Sequence, residues 1–177
     1  MLDYVELDID LEKYHSDLTE YVISVYSNSN FTSTYNNLDL QDFKLHNLEL
    51  TRQLELLSDS KLERVTLLVL ENSSMLIHRD QGPRICRINW PILNSDSAVT
   101  VFYNKKPNAV SHAKHNGIDL YQLHDLEIRN SFILTKPTLM HVDTIHSVEL
   151  IPKKPLPRII VSFNFVNDTK LSKLLQK

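Results

Sequence analysis

Residues 158–165, RIIVSFNF, alternate as a β-strand does when its two faces meet different surroundings. Successive side chains of a strand point to opposite sides, so the odd-numbered and even-numbered residues separate here. The odd face is entirely apolar and consists of Ile159, Val161, Phe163 and Phe165. The even face begins with Arg158, Ile160 and Ser162. We expect the odd face to pack beneath covering helices and the even face to look into a largely apolar interior.

Similar short segments, rich in Val, Ile, Leu, Phe and Thr, occur from residue 61 onward. We predict strands near residues 64–71, 75–79, 84–92, 98–103, 118–123, 127–134, 139–142, 147–151 and 158–165. Many short strands at regular spacing are typical of a sandwich, a barrel or a jelly roll. The sequence therefore predicts a mainly β fold.

The first 60 residues are of mixed character. Residues 38–58 carry a leucine pattern that predicts a helix over part of their length, whereas residues 17–26 fit a helix or a strand. We expect this region to cover one face of the sheet. The predicted organisation is a single domain over 1–177, with N-terminal support at 1–60, a β-barrel core at 61–166 and a C-terminal tail at 167–177.

Composition excludes several classes of function. The chain has 177 residues and only two glycines, Gly82 and Gly117. A P-loop or a Gly-rich dinucleotide fingerprint needs several glycines within a few residues, so neither is present. The net charge is −3 and the pI about 6.2, whereas a general nucleic-acid-binding domain is normally basic. A nucleic-acid partner is therefore not expected.

The remaining composition bears on location. Cys86 is the only cysteine, so no internal disulfide can form, and we interpret it as a small core residue. No run of 18 apolar residues occurs, and the acidic start at residues 1–6 does not resemble a signal peptide. We expect a cytoplasmic protein without a membrane span. The sequence does not indicate an oligomeric state.

The segment MLIHRD at residues 75–80 carries the chemistry. His78 and Asp80 are two residues apart on a predicted strand, so both side chains project from one face. An imidazole and a short carboxylate so placed at a strand end can bind one metal ion together. The best candidate for a third ligand is His146, 68 residues later. Two histidines and one carboxylate on one side of a metal form the facial triad of non-haem Fe(II) oxygenases.

Arg158 follows His146 by twelve residues. An arginine that points into an apolar barrel costs several kcal/mol unless an anion meets it, and its guanidinium matches a carboxylate with two parallel hydrogen bonds. Ser162, on the same face, could add a hydroxyl donor. Arg87 and Asn89 share a face of another strand, and they either line a cosubstrate pocket or lie at the surface.

The order of HxD, a distal His in a DTxHxV setting and an Arg opening the last strand resembles the 2-oxoglutarate- and Fe(II)-dependent oxygenases, over residues 70–166. The resemblance implies a double-stranded β-helix, a jelly-roll barrel of cupin-like form. It also implies that His78, Asp80 and His146 bind iron and that Arg158 pairs with the far carboxylate of 2-oxoglutarate. Many members carry a hydroxyl residue two positions after the arginine, where this chain has Ile160.

Several consequences follow from the resemblance. Cofactors would be Fe(II) and 2-oxoglutarate, with O₂ as cosubstrate and ascorbate as an optional addition; Ser162 and Asn89 are further candidates for binding the cosubstrate. The activity would be hydroxylation of a C–H bond in a small molecule or a protein side chain. Two other classes stay open: a cupin-like barrel acting as an isomerase or lyase, and a non-catalytic binding module.

Other histidines admit simpler interpretations. A second HxD, His141 to Asp143, cannot lead the motif because the only later histidine is too close to serve as the distal ligand. His112 and His115 have a plausible ligand spacing but lie in a polar segment, which favours a solvated loop. His78 itself could be a core histidine, and Arg158 could be a surface charge at a strand edge.

Overall fold

Two antiparallel β-sheets dominate the structure, which is a computed structural model. The residues that it describes are 2–9, 11–31, 35–81, 84–115 and 118–176. The strands in that part of the chain are β1 (Tyr4–Glu6), β2 (Tyr35–Asp39), β3 (Leu62–Leu70), β4 (Met75–Asp80), β5 (Cys86–Leu93), β6 (Ala98–Lys105), β7 (Ala113–His115), β8 (Ile118–Leu120), β9 (Leu126–Ile133), β10 (Thr138–His141), β11 (His146–Leu150) and β12 (Arg158–Phe165). The helices there are α1 (Leu11–Ser27), α2 (Phe43–His46), α3 (Leu48–Ser58) and α4 (Thr169–Leu174).

The strand order is that of a jelly roll. Sheet I has the order β1-β10-β5-β12-β3-β2, and sheet II has the order β7-β8-β4-β11-β6-β9. If the eight core strands from β3 to β12 are counted in chain order without β7 and β8, the sheets become 1-8-3-6 and 2-7-4-5. Apart from strands 4 and 5, which pair within sheet II, consecutive strands thus alternate between two facing sheets, as in double Greek-key folds. The predicted mainly β jelly-roll fold with N-terminal helical support is confirmed.

The outer face of sheet I lies beneath the helices. The apolar face of β12, predicted from its alternation, is fully buried there, and Phe163 meets Phe43 of α2 edge to face at 5.4 Å. In α1, Leu18 and Val22 are one helical turn apart and both fully buried in the same cluster. Each such side chain contributes about 1.5–3 kcal/mol through its burial. This cluster fixes the position of β5 and β12, whose other faces line the barrel.

Part of the space between the two sheets is filled by apolar side chains. The buried cluster there consists of Phe102, Phe132, Leu134, Met140, Val142 and Ile160. Tyr4 of β1 packs against it, stacked on Phe132 with ring centroids 4.2 Å apart. The prediction that Ile160 lies on the inner face of β12 is therefore met. Among the described helices, none has the length and hydrophobicity that a membrane crossing requires.

Some elements differ from the sequence expectation. Strands β1, β2 and β7 were not predicted, and the predicted strand at 118–123 ends at Leu120. Residues 17–26 belong to α1, and the predicted helix at 38–58 is divided between α2 and α3 after the last residue of β2. The segment predicted only as a tail contains α4, whose Leu171 is fully buried. Short edge strands form because a neighbouring strand offers hydrogen bonds, which periodicity does not record.

Candidate metal centre

Strands β4 and β11 bring the two histidines together. They are antiparallel neighbours in sheet II, and His78 lies directly opposite His146. Their ring centroids are 4.2 Å apart, and the side chains are 2% and 4% exposed. Asp80, two residues after His78, is partly exposed at the end of β4. One ligand atom from each of the three residues lies within 4.8 Å of the others.

A β-bulge precedes His78. Opposite His146 lies His78, but opposite Val148 lies Met75, so Leu76 and Ile77 face Ser147 alone. Bulges re-aim the side chains beside them and are common next to active sites. The carbonyl oxygen of Leu76 accepts a hydrogen bond from Nδ1 of His78 at 2.8 Å. The bulge thus places a backbone acceptor against the imidazole and fixes the orientation of its ring.

Both histidines are held in the same tautomer. Nδ1 of His146 contacts the carbonyl oxygen of Thr144 at 2.8 Å, as His78 contacts that of Leu76. A carbonyl oxygen only accepts, so Nδ1 carries the proton in both rings and Nε2 keeps a lone pair. Backbone acceptors of this kind orient metal-binding histidines. These two carbonyl partners depend on the local backbone and could not be predicted from residue spacing.

The histidines stay neutral. Burial lowers the pKa of His78, and it lowers the pKa of His146 far below the ordinary value, with the neighbouring His78 adding to the effect. Neutral imidazole is the form that coordinates a metal ion. The metal-free site therefore needs to lose no histidine proton near neutral pH before an ion can bind.

The ligand atoms of the triad are arranged as a cation would require. Nε2 of His78 lies 3.6 Å from Oδ1 of Asp80, and neither atom carries a proton when the imidazole is neutral and the carboxylate ionised. Two such lone pairs repel one another unless a positive charge lies between them. Among the residues that the structure describes, these three form the only group of His, Cys, Asp or Glu suited to holding a metal.

Arg87 on β5 engages the other oxygen of Asp80. Its Nη2 donates to Oδ2 of Asp80 across the gap between the sheets. Strand alternation puts Arg87 and Asn89 on one face, either in a cosubstrate pocket or at the surface, but it does not pair Arg87 with Asp80. The strand alternation was the available signal, but β4 and β5 lie in different sheets, so the pairing depends on how those sheets are stacked.

The remaining predicted site residues lie on the inner face of sheet I. Arg158 opens β12 and is only 3% exposed, so its placement at the surface is excluded. Ser162 and Asn89 lie opposite each other on β12 and β5, and both are buried. In the described part of the chain, neither Oγ of Ser162 nor Oδ1 of Asn89 has a hydrogen-bond partner. Asn89 also approaches the sulfur of Met140 at 3.5 Å.

This inner face therefore has a polar column. Along β5, Arg87 at the triad is followed on the same face by Asn89, which faces Ser162, and Arg158 lies four residues from Ser162 along β12. The structure thus groups His78, Asp80 and His146 on sheet II. It sets Asn89, Ser162 and Arg158 in sequence on the opposing sheet. Buried polar atoms without partners are rare in proteins and mark places where a ligand or water completes the hydrogen bonds.

The other histidines take no part in this arrangement. His112 is exposed, as expected for a loop, and the side chain of His115 lies outside the described residues. His124 is exposed. His141 is half-buried and contacts the hydroxyl of Thr144, so it has a structural partner. Cys86 is buried, as predicted.

Known proteins resemble this chain in fold. No family model matches it, and no curated protein matches it by sequence. Among solved structures, the epimerase SnoN in complex with Fe3+, alpha ketoglutarate and nogalamycin RO superposes with a TM-score of 0.61 at 11% identity, covering 91% of this chain and 77% of SnoN. The non-heme alpha ketoglutarate dependent carbocyclase SnoK from nogalamycin biosynthesis gives 0.51 at 12% identity, covering 97% and 86%. At such low identity, the likeness to these two proteins shows a shared fold alone.

Proposed function

We propose that this protein is a non-haem Fe(II)- and 2-oxoglutarate-dependent oxygenase that hydroxylates a C–H bond of a small molecule or a protein side chain. One observation carries the proposal: His78, Asp80 and His146 converge from two strands with lone-pair-bearing atoms within 4.8 Å of one another. Two imidazoles and one carboxylate are the ligand set of this class of iron site. The fold shared with SnoN and SnoK supports the same class.

The three residues would hold the iron. Bound Fe(II), with 2-oxoglutarate and O₂, supplies the oxidising power for C–H cleavage, with succinate and CO₂ as by-products. The protein's contribution is to bind, orient and exclude water. The carbonyls of Leu76 and Thr144 keep both Nε2 atoms available, and the burial of both rings keeps water from the inner side of the site.

The polar column on sheet I would hold the cosubstrate. The guanidinium of Arg158 would pair with its far carboxylate, and a buried arginine is compensated well by such a pair. The hydroxyl of Ser162 and the amide of Asn89 would complete their hydrogen bonds on the same ligand. Ile160, which occupies the position where many oxygenases of this class carry a hydroxyl, packs in the apolar cluster instead. Ser162 would therefore supply the hydroxyl from one strand repeat further along the same face.

SnoN and SnoK suggest a second outcome of the same chemistry. These proteins are an epimerase and a carbocyclase, so oxidation of a C–H bond need not end in an alcohol. The product of a substrate found for this chain would distinguish the outcomes. An isomerase or lyase of cupin type would need no 2-oxoglutarate, and a non-catalytic module would bind no metal in stoichiometric amount.

The test uses 2-oxoglutarate itself. Under anaerobic conditions, we expect the wild-type protein with Fe(II) and 2-oxoglutarate to develop a visible charge-transfer absorption, and then to form succinate when O₂ is admitted. Asp80→Ala should lose both signals. Asp96→Ala, which removes an exposed carboxylate paired with Lys154, is the matched control and should keep both. Wild-type protein without either signal, or Asp80→Ala with unchanged signals, would overturn the proposal.

A further inference from the structure

Arg87 occupies a special place beside the triad. It is the second residue of β5 in sheet I, whereas Asp80 ends β4 in sheet II, so their contact joins the two sheets at the site. Asp80 offers its two oxygens to different partners: Oδ1 faces Nε2 of His78, and Oδ2 accepts from Arg87. A carboxylate whose second oxygen is occupied in this way presents one oxygen to an ion.

Nearby arginines have other partners. Arg79 pairs with Asp119 at 2.7 Å, and Arg84 pairs with Glu63 and donates to the carbonyl oxygen of Phe165 at 3.0 Å. These contacts involve no member of the triad. The charge beside Asp80 therefore comes from Arg87.

The backbone before Arg87 is itself anchored. Oδ2 of Asp168 accepts hydrogen bonds from the N–H groups of Ile85 and Cys86, at 2.7 Å and 3.0 Å. On the other side, Arg87 lies opposite Met140 of β10 in the sheet ladder. The start of β5 is therefore held from two directions. The guanidinium is thus presented to Asp80 from a fixed strand end.

We infer that Arg87 is a positioning residue that keeps Asp80 a one-oxygen ligand and cancels its charge, so that the loaded centre favours a dianionic cosubstrate. The inference rests on the proposed function. Asp80 is the only acidic side chain of the triad, and the guanidinium of Arg87 pairs with it and offsets its charge. A divalent ion then brings an excess of positive charge to the site, which the keto-acid end of a dicarboxylate offsets while its far carboxylate pairs with Arg158. The one-oxygen ligand also leaves a coordination position open for that cosubstrate.

This role predicts opposite effects on two affinities. Loss of Arg87 removes a positive charge beside the cation, so Mn(II) should bind as tightly as to wild type or up to about tenfold more tightly. The same loss should weaken the binding of 2-oxoglutarate to the Mn(II)-loaded protein by about tenfold. General damage to the site would instead weaken Mn(II) binding, because the three ligands would lose their arrangement.

The experiment compares Arg87→Ala, Arg87→Gln and Arg87→Lys by Mn(II) EPR titration, followed by 2-oxoglutarate titration of the Mn(II)-loaded protein. Arg87→Gln keeps a hydrogen-bond donor for Asp80 without the positive charge. We expect it to weaken the binding of 2-oxoglutarate as much as Arg87→Ala does. Arg87→Lys keeps the charge and should recover part of the affinity. Arg84→Ala is the control of equal charge change, three residues away, and should leave both affinities at the wild-type values.

The outcomes separate the two proposals. Weaker Mn(II) binding by both Arg87→Ala and Arg87→Gln, or unchanged 2-oxoglutarate binding by both, overturns the role of Arg87 while the metal site stands. Failure of wild-type protein to bind Mn(II) overturns the proposed function itself. If Arg87→Ala does not fold, the comparison of Gln with Lys still decides the matter, because they differ in charge at one position.

Discussion

Replacement of Ser162 by Ala should weaken cosubstrate binding without weakening the fold. Ser162 is fully buried in β12, and its hydroxyl has no hydrogen-bond partner among the described residues. Asn89 lies directly opposite it with an unpartnered carbonyl oxygen. A buried hydroxyl of this kind completes its hydrogen bonds with a ligand or with water, and the position of Ser162 beside Asn89 in the polar column favours the cosubstrate as its partner. Its removal should therefore stabilise the metal-free protein and weaken the binding of 2-oxoglutarate to the metal-loaded protein.

The two effects differ in sign and size. An unsatisfied buried polar group costs about 1–3 kcal/mol, and the Ala variant leaves only a void of about one atom, so we expect a gain of about 1 kcal/mol in stability. For a chain of this length, that gain raises Tm by about 2–4 °C. A hydrogen bond to a charged group contributes about 1.5–3 kcal/mol. Its loss should raise the Kd for 2-oxoglutarate roughly 10- to 100-fold.

Two measurements on the Ser162→Ala protein test these expectations. Thermal unfolding of the metal-free protein gives the change in stability, and titration of the Mn(II)-loaded protein gives the Kd for 2-oxoglutarate. Ser97→Ala is the matched control, because Ser97 is also fully buried with an unpartnered hydroxyl but lies in the turn between β5 and β6. The control should leave the Kd unchanged. A Ser162→Ala protein with lower Tm and an unaltered Kd would refute the reasoning.

Three further predictions concern the rest of the chain. Asp168→Ala should lower the free energy of unfolding by about 2–3 kcal/mol, because the N–H groups of Ile85 and Cys86 lose their carboxylate; urea denaturation measures this, and an unchanged midpoint would contradict it. Metal-free protein should lose stability as pH falls below about 6.5, because burial lowers the pKa of His78 and His146 and the unfolded chain then binds more protons; a flat profile of Tm between pH 7 and 5 would count against their burial. The thiol of Cys86 should react with a disulfide reagent only after unfolding, because burial, reinforced by Asp168, raises its pKa; rapid labelling of folded protein would disprove this.

Strand β12 could be predicted to its terminal residues because its alternation is regular, and the structure bears this out. Its apolar face alternates without a break, and both faces are buried by different neighbours. Strand β2 could not be predicted, because YNNLD has low β-propensity and pairs only through its neighbour β3. The helix α1 was ambiguous because β-branched residues interrupt its pattern. The burial of Leu18 and Val22, one turn apart, settles it as a helix.

The triad could be proposed from sequence because its members stand out chemically. A strand places His78 and Asp80 on one side, and His146, in a DTxHxV setting 68 residues after His78, is the best candidate to join them. The contact of Arg87 with Asp80 could not be proposed, because it crosses between sheets whose stacking is set by the whole core. Neither could the hydrogen bond to Leu76, because it depends on a bulge in the pairing of β4 with β11. Local alternation records faces, but it does not record register between distant strands.

Metal stoichiometry tests the central claim most directly. Purified, metal-free protein is titrated with Mn(II), and free ion is followed by EPR. The account predicts one tightly bound ion per chain, lost in His146→Ala and retained in His112→Ala, which removes an exposed histidine from the loop before β7. Wild-type protein that binds no ion, or His146→Ala that binds it as well as wild type does, would contradict the account.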